Sequence, residues 1–213
     1  MVDIYYSRVG ANTYVIFNEN NEAFVVDPGF SNNNQVIDHI KKLNKDIKAI
    51  LITHGHYDHI YALEDLVKLY PNVKVYISSN EKDFLTNPDL NLSTNSEFGE
   101  IKLINFLPNN LVEVDDEDII NVCGYKIKVI ATPFHTKGSV CYFILDEKLL
   151  FSGDTLFYST IGRSDLPTGT SRTIESSLLK LKKLPEDVKL CPGHGPISTL
   201  DREKAHNAYL KNI

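Results

Sequence analysis

The run Thr53-His54-Gly55-His56-Tyr57-Asp58-His59 decides how this chain is read. It gathers three of the protein's seven histidines, with an aspartate among them. It follows the apolar run Ala49–Ile52, which reads as a buried strand. An amphipathic stretch comes next, Tyr61–Leu69, apolar at Leu63, Leu66 and Val67, and it stops at Pro71. A loop at the C-terminal end of a strand is where side chains converge while the scaffold stays rigid. His54 and His56, two apart in an extended segment, project to one side. Asp58 and His59 follow as the chain turns into the helix. A lone loop histidine is ordinarily exposed or satisfied within the core. Three histidines and an aspartate on one strand-to-helix turn point instead to a metal site.

Three later positions extend the set. His135 lies in Ala131-Thr132-Pro133-Phe134-His135, after the expected strand Lys126–Ala131. Asp154 lies in Phe151-Ser152-Gly153-Asp154, after another apolar run. His194 lies in Leu190-Cys191-Pro192-Gly193-His194-Gly195-Pro196, again after a strand. Five imidazoles and two carboxylates exceed what one tetrahedral ion uses, so the inventory argues for two divalent ions about 3.5–4 Å apart. Asp154 is the foremost candidate to bridge them. Imidazole with carboxylate suits zinc first, and also iron or manganese. Two divalent cations outweigh the charges of Asp58, Asp154 and a bridging hydroxide. The positive remainder can polarise a carbonyl and stabilise an oxyanion, which favours hydrolysis.

The rest of the chain supplies a frame. Strands are expected at Val2–Tyr6, Thr13–Phe17, Ala23–Val26, Val73–Ile77, Leu111–Val114, Ile119–Cys123, Val140–Leu145, Leu149–Phe151 and Val188–Cys191. Helices are expected at Asn33–Leu43, Asn80–Leu85, Ile174–Leu184 and Asp201–Leu210. Asn87–Asn110 is polar and Asn-rich and reads as a long surface excursion, and Leu156–Thr170 as a loop. Strands with few helices, then strands again, predict two sheets packed together with helices outside.

Length and charge narrow the function classes. At 213 residues, one domain over 1–213 is expected, and it should remove roughly 70% of its unfolded surface from water. Lys+Arg 22 against Asp+Glu 28 gives a net charge of −6, a poor match to a nucleic-acid or anionic-membrane binder. No apolar run approaches the length of a membrane span, and the opening MVDIYYSRVG lacks the pattern of a signal peptide. Three cysteines fit reduced thiols rather than a disulfide framework. A cytoplasmic enzyme acting on a small molecule is the expectation.

The sequence resembles the metallo-β-lactamase superfamily, whose H-x-H-x-D-H signature reads His54-Gly55-His56-Tyr57-Asp58-His59. The resemblance runs from Asn12 through Pro196. It implies an α+β fold, an αββα sandwich of two mixed sheets packed face to face with helices on both outer faces. It also implies that His54, His56 and His135 hold one metal, that Asp58, His59 and His194 hold the other, and that Asp154 bridges. Ser152-Gly153-Asp154-Thr155-Leu156-Phe157, followed by Ile161-Gly162-Arg163-Ser164-Asp165-Leu166, is most similar to small glyoxalase II-like hydrolases. That likeness implies hydrolysis of a hydroxyacylglutathione-type thioester by a metal-bridging hydroxide, with Asp58 and Asp154 as its catalytic carboxylates. A lactonase or other ester hydrolase of the same fold is an alternative. So is a persulfide dioxygenase using one iron at His54, His135 and Asp154. Aspartate at 154, where β-lactamases usually carry cysteine, argues against a β-lactamase. Glyoxalase II enzymes carry a C-terminal helical domain that grips glutathione, and with only 19 residues after His194 a different or smaller thioester is also expected as substrate.

Two residues are expected close behind the ligands. Asp27, in Val25-Val26-Asp27-Pro28-Gly29, either supports the histidine loop or simply ends a strand. Arg163 either binds an anionic substrate or pairs with Asp165. Cys191 reads as a small buried hydrophobe, and His39 and His206 as surface residues.

Overall fold

The computed structural model describes residues 1–7, 10–95, 101, 103–104 and 110–213. The chain divides into two compact units. Met1–Val114 with Val122–Gly124 form the first, and Asp115–Asn121 with Tyr125–Ile213 the second.

The first unit carries a six-stranded mixed sheet whose spatial order follows the chain. Strands β1 (Val2–Tyr5), β2 (Thr13–Phe17) and β3 (Glu22–Val26) form an antiparallel meander. Strands β4 (Asp46–Ile52), β5 (Lys74–Ser78) and β6 (Leu111–Val114) add in parallel to β3. Parallel neighbours need long crossovers. Helix α1 (Gln35–Lys42) makes the first, and α2 (Tyr57–Ile60) with α3 (Leu63–Leu69) the second. Val36, Ile37 and Ile40 of α1 and Leu63, Leu66 and Val67 of α3 pack in one cluster with Ile50, Ile52, Val75 and Ile77. Leu51, on the opposite face of β4, is also fully buried. Burial on both faces explains why the end of β4 reads as continuous apolar sequence rather than as an alternation.

Three sequence expectations change here. Strand β4 begins at Asp46, because Asp46 and Lys48 point outward around the buried Ile47. Only its unbroken apolar half was visible as sequence. The ligand run is not all loop, since α2 begins at Tyr57 and places Asp58 and His59 on one helical turn. The expected excursion Asn87–Asn110 is in part packed. Asn91 is fully buried and donates from its Nδ2 to the Phe84 carbonyl (2.9 Å), and Ser93 is buried beside it. Residues 96–100, 102 and 105–109 of that stretch lie outside the described residues.

The second unit has its own six-stranded sheet, in the order β14-β13-β10-β9-β8-β7. Its strands are β7 (Ile119–Val122), β8 (Tyr125–Ala131), β9 (Val140–Ile144), β10 (Leu149–Gly153), β13 (Lys189–Pro192) and β14 (Ser198–Thr199). Strands β10 and β13 pair in parallel, while β8 with β9, β9 with β10, and β13 with β14 pair antiparallel. The loop expected over 156–170 contains a two-residue hairpin, β11 (Leu156–Phe157) with β12 (Thr160–Ile161). Helices α4 (Ile174–Lys182), α5 (Leu200–His206) and α6 (Ala208–Lys211) bring Leu178, Leu181, Leu200 and Leu210 against Ile130, Cys141, Leu150 and Leu190. The single terminal helix expected over 201–210 breaks at Asn207. That residue is extended, and its side chain accepts from the Tyr209 amide. Among the described residues, no helix is long and apolar enough to cross a membrane.

Glu203 of α5 is fully buried and fastens the small hairpin to the strand after the last histidine. It accepts from the Ser159 amide (2.8 Å), the Arg202 guanidinium (2.6 Å), the Asn207 side chain (3.1 Å) and the Ser198 hydroxyl. Burial pushes its carboxyl pKa up, but the donors from Ser198, Ser159, Arg202 and Asn207 outweigh it and hold the pKa below the ordinary value. A carboxyl depressed on folding contributes stability above its unfolded pKa, about 4.3, and loses it as pH falls through the folded value. Glu203→Gln should therefore cost about 1–3 kcal/mol at neutral pH, and the cost should shrink below pH 4. Urea unfolding at pH 7 and pH 3.5 measures both. An equal cost at the two values would separate the effect from the charge.

Candidate metal centre

In the first unit, the chemistry collects at the C-terminal ends of three parallel neighbours. Asp27 follows β3, the Thr53–His59 run follows β4, and Glu81 follows β5. Open sheets with parallel strands place their ligand sites at this edge. His54, His56 and His59 are buried, while Asp58 keeps 21% of its side chain exposed.

Hydrogen bonds fix which ring nitrogens are left for a metal. Asp27 accepts from the Thr53 amide (2.8 Å), from the Thr53 hydroxyl (2.6 Å) and from His59 Nδ1 (2.9 Å). His59 thereby carries its proton on Nδ1 and presents a bare Nε2, which lies 3.8 Å from Asp58 Oδ2. The Thr53 hydroxyl proton is committed to Asp27, so its oxygen accepts from His54 Nδ1 (3.2 Å). That leaves His54 Nε2 bare, 3.0 Å from His56 Nδ1. Two ligand nitrogens on one tetrahedral ion with bonds of about 2.0–2.1 Å lie about 3.3 Å apart. The donor set and its spacing therefore fit a divalent metal.

The second unit repeats the design. Strands β8, β10 and β13 run in the same direction, so His135, Asp154 and His194 leave one edge of the sheet. A register shift between Phe151 and Gly153, with Gly153 at φ +48°, turns the chain sharply before Asp154. Asp154 presents Oδ2 to His135 Nε2 (3.5 Å) and Oδ1 to His194 Nε2 (3.6 Å). Each oxygen faces a different imidazole. His135 Nδ1 donates to the Arg163 carbonyl (2.7 Å), which again leaves Nε2 bare. Gly162 is what lets that carbonyl approach: a Cβ there would meet the Asp154 carbonyl oxygen at 1.9 Å and His135 Nδ1 at 3.2 Å. His194 is the most open of the three, with 38% of its side chain exposed and the Phe157 ring edge-on to it at 6.0 Å.

The remaining candidates fall into place nearby. Arg163 spends its guanidinium on Asp165 through two hydrogen bonds (2.7 and 2.8 Å), and this pairing pulls the Asp165 carboxyl down to about 2. Cys191 is buried in the apolar core of β13, and burial pushes its thiol up to about 12, far from thiolate chemistry. His206 is exposed, whereas His39 is half-buried and pairs with Asp3. Sequence reasoning passed over Thr53 as an acceptor for His54. It also passed over Glu81, fully buried, whose Oε2 accepts from the Gly55 amide (2.7 Å). Glu81 sits in an ordinary-looking polar stretch, and only its position after a strand parallel to β4 could have drawn notice.

Residues 6–194 match the metallo-β-lactamase superfamily. A probable metallo-hydrolase of Streptococcus pyogenes serotype M6 is 35% identical over 203 residues, 94% of this chain and 86% of that protein. The hydroxyacylglutathione hydrolase GloC of Haemophilus influenzae is 33% identical over 202 residues, 94% of this chain and 93% of that protein. The crystal structure of the B3 metallo-β-lactamase BLEG-1 superposes with a TM-score of 0.89 at 32% identity, covering 99% of each chain. With two mixed sheets and helices matching the α+β sandwich fold, and with His/Asp donor groups at the strand ends, the chain belongs to the metallo-β-lactamase superfamily as a metallo-hydrolase.

Proposed function

We propose that the two units act as a single domain and that their seven donors form one dinuclear site. His54, His56 and His135 would hold one divalent ion and Asp58, His59 and His194 the other, with Asp154 shared between them. The observation that carries this reading is Asp154 itself, one oxygen toward each of two separate imidazoles. Zinc is the first choice for this donor set, with iron and manganese also suited to it. When bound, the ions supply Lewis-acid activation of a water and of the substrate carbonyl.

The reaction we assign is hydrolysis of a thioester of the hydroxyacylglutathione type. The likeness to GloC over almost the whole of both chains supports it. A thiolate leaves readily, so the chemistry asks for no strong general acid. The chain's own residues have two tasks. Asp27, Thr53 and the Arg163 carbonyl hold His59, His54 and His135 as ligands. Asp58 and His194, the most exposed donors, mark the side on which substrate arrives. A second reading, β-lactam hydrolysis, is favoured by the 32% identity to BLEG-1, despite the aspartate at 154.

Three measurements test the assignment. The purified enzyme should contain two metal ions per chain by elemental analysis and hydrolyse S-lactoylglutathione faster than a lactone or nitrocefin, with all activity lost on chelation. One iron per chain with oxygen uptake on glutathione persulfide would instead make it a dioxygenase. Asp154→Ala should lower kcat/KM about a hundred-fold or more and leave the metal content below two. Retention of both ions and full activity would remove Asp154 from the site. Asp27→Ala should weaken metal binding about 10–100-fold through His59, as measured by chelator competition.

A further inference from the structure

We propose that Glu81 is a positioning residue for the metal loop. By holding the Gly55 amide, it sets the angle at which His54 and His56 converge. This rests on the reading of His54 and His56 as ligands of one ion. The observations all lie within the first unit. Gly55 is the hinge between the two histidines, and its N–H donates to Glu81 Oε2 at 2.7 Å. Glu81 is a fully buried carboxylate, an expensive group to keep away from water. Its presence therefore calls for a role, and the role on view is its hydrogen bond to a backbone amide.

The segment that carries Glu81 grips the same loop at two further points. Phe84, also fully buried, fills the space against Gly55 so closely that a Cβ on residue 55 would meet Phe84 Cβ at 2.3 Å. Its ring stands 6.1 Å from that of His56. The Asn91 carbonyl accepts from the Tyr57 amide (2.8 Å). Asn91 is itself fixed to the Phe84 carbonyl through Nδ2 and to the Ser93 amide through Oδ1. The segment after β5, which opens with the 3-10 helix Ser79–Leu85, thus holds the backbone at 55 and 57, on either side of His56. Two ring nitrogens held 3.0 Å apart on a chain as short as His-Gly-His need such a hold, because free rotation about glycine would separate them. Glu81 is the side-chain member of the clamp, and it holds the backbone at the residue between the two histidines.

The test uses Glu81→Ala, which removes the acceptor, and Glu81→Gln, which keeps one. Hydrogen exchange of the metal-free protein reads the bond directly. Protection of the Gly55 amide should fall about ten-fold or more in Glu81→Ala and be retained in Glu81→Gln. Cobalt titration followed by absorbance and calorimetry reads the consequence. The ion at His54 and His56 should bind about 10–100-fold more weakly in Glu81→Ala and within a few-fold of wild type in Glu81→Gln. The ion at Asp58, His59 and His194 should change much less. Equal weakening of both ions together with a general loss of exchange protection would reduce Glu81 to a structural residue. Unchanged Gly55 protection, or unchanged cobalt affinity in Glu81→Ala, would also overturn the proposal. His54→Ala separates the two readings. If it binds both cobalt ions normally, the ligand assignment fails whatever Glu81 does.

Discussion

The metal loop depends first on one carboxylate, that of Asp27. Its side chain receives the Thr53 amide, the Thr53 hydroxyl and His59 Nδ1, and its own amide donates to the Leu51 carbonyl. Its carbonyl accepts from the Thr13 hydroxyl. The residue sits at φ +48°, a left-handed conformation that costs a non-glycine residue on the order of 1 kcal/mol. Five hydrogen bonds hold it there. They join the end of β3 to the end of β4 and to the first turn of α2. Two of the loop's histidines owe their protonation pattern to this residue, His59 directly and His54 through Thr53.

The two sheets solve the same problem with different means. In the first unit, strands β3 to β6 are parallel, so successive C-terminal ends fall on one edge and the crossover helices stay out of the way. In the second unit, the three strands that deliver His135, Asp154 and His194 share a direction although β9 runs against them. His54, Asp154 and His194 each follow a strand end within two residues, while Asp58 and His59 lie on α2 and His135 lies between β8 and β9. Second-layer contacts are also matched: a carboxylate or hydroxyl orders each of two histidines in the first unit, and a backbone carbonyl orders His135 in the second. A ligand with its tautomer set in advance loses less freedom when the ion binds.

The ligand-type residues and Asp27 behind them stood out in the sequence, whereas Thr53, Glu81 and Asn91 did not. The H-x-H-x-D-H run is local, and its meaning follows from residue type and spacing alone. Strand ends were legible because Ala49–Ile52, Lys126–Ala131 and Leu149–Phe151 are apolar runs ended by Gly, Pro or polar residues. The helical turn at Tyr57–Ile60 was hidden because it is too short to show a period. Glu81 and Asn91 were hidden for another reason. Their partners, Gly55 and Tyr57, lie more than twenty residues earlier, and only the parallel pairing of β4 with β5 brings the segments together. Glu203 is a similar case, a charged residue in an amphipathic helix whose burial is decided by the hairpin it fastens.

Arg163 shows how such a scaffold separates what must stay fixed from what can vary. Its carbonyl holds His135 by a 2.7 Å hydrogen bond, while its guanidinium reaches outward to Asp165. The outward pair is exposed, and such pairs contribute little to stability. His135 is thus oriented by main chain, through a turn where a Cβ at Gly162 would clash with the Asp154 carbonyl, and the Arg163 side chain is left over. Side chains around the rim can change without disturbing the ligand geometry, because that geometry is built from backbone and from residues buried behind it.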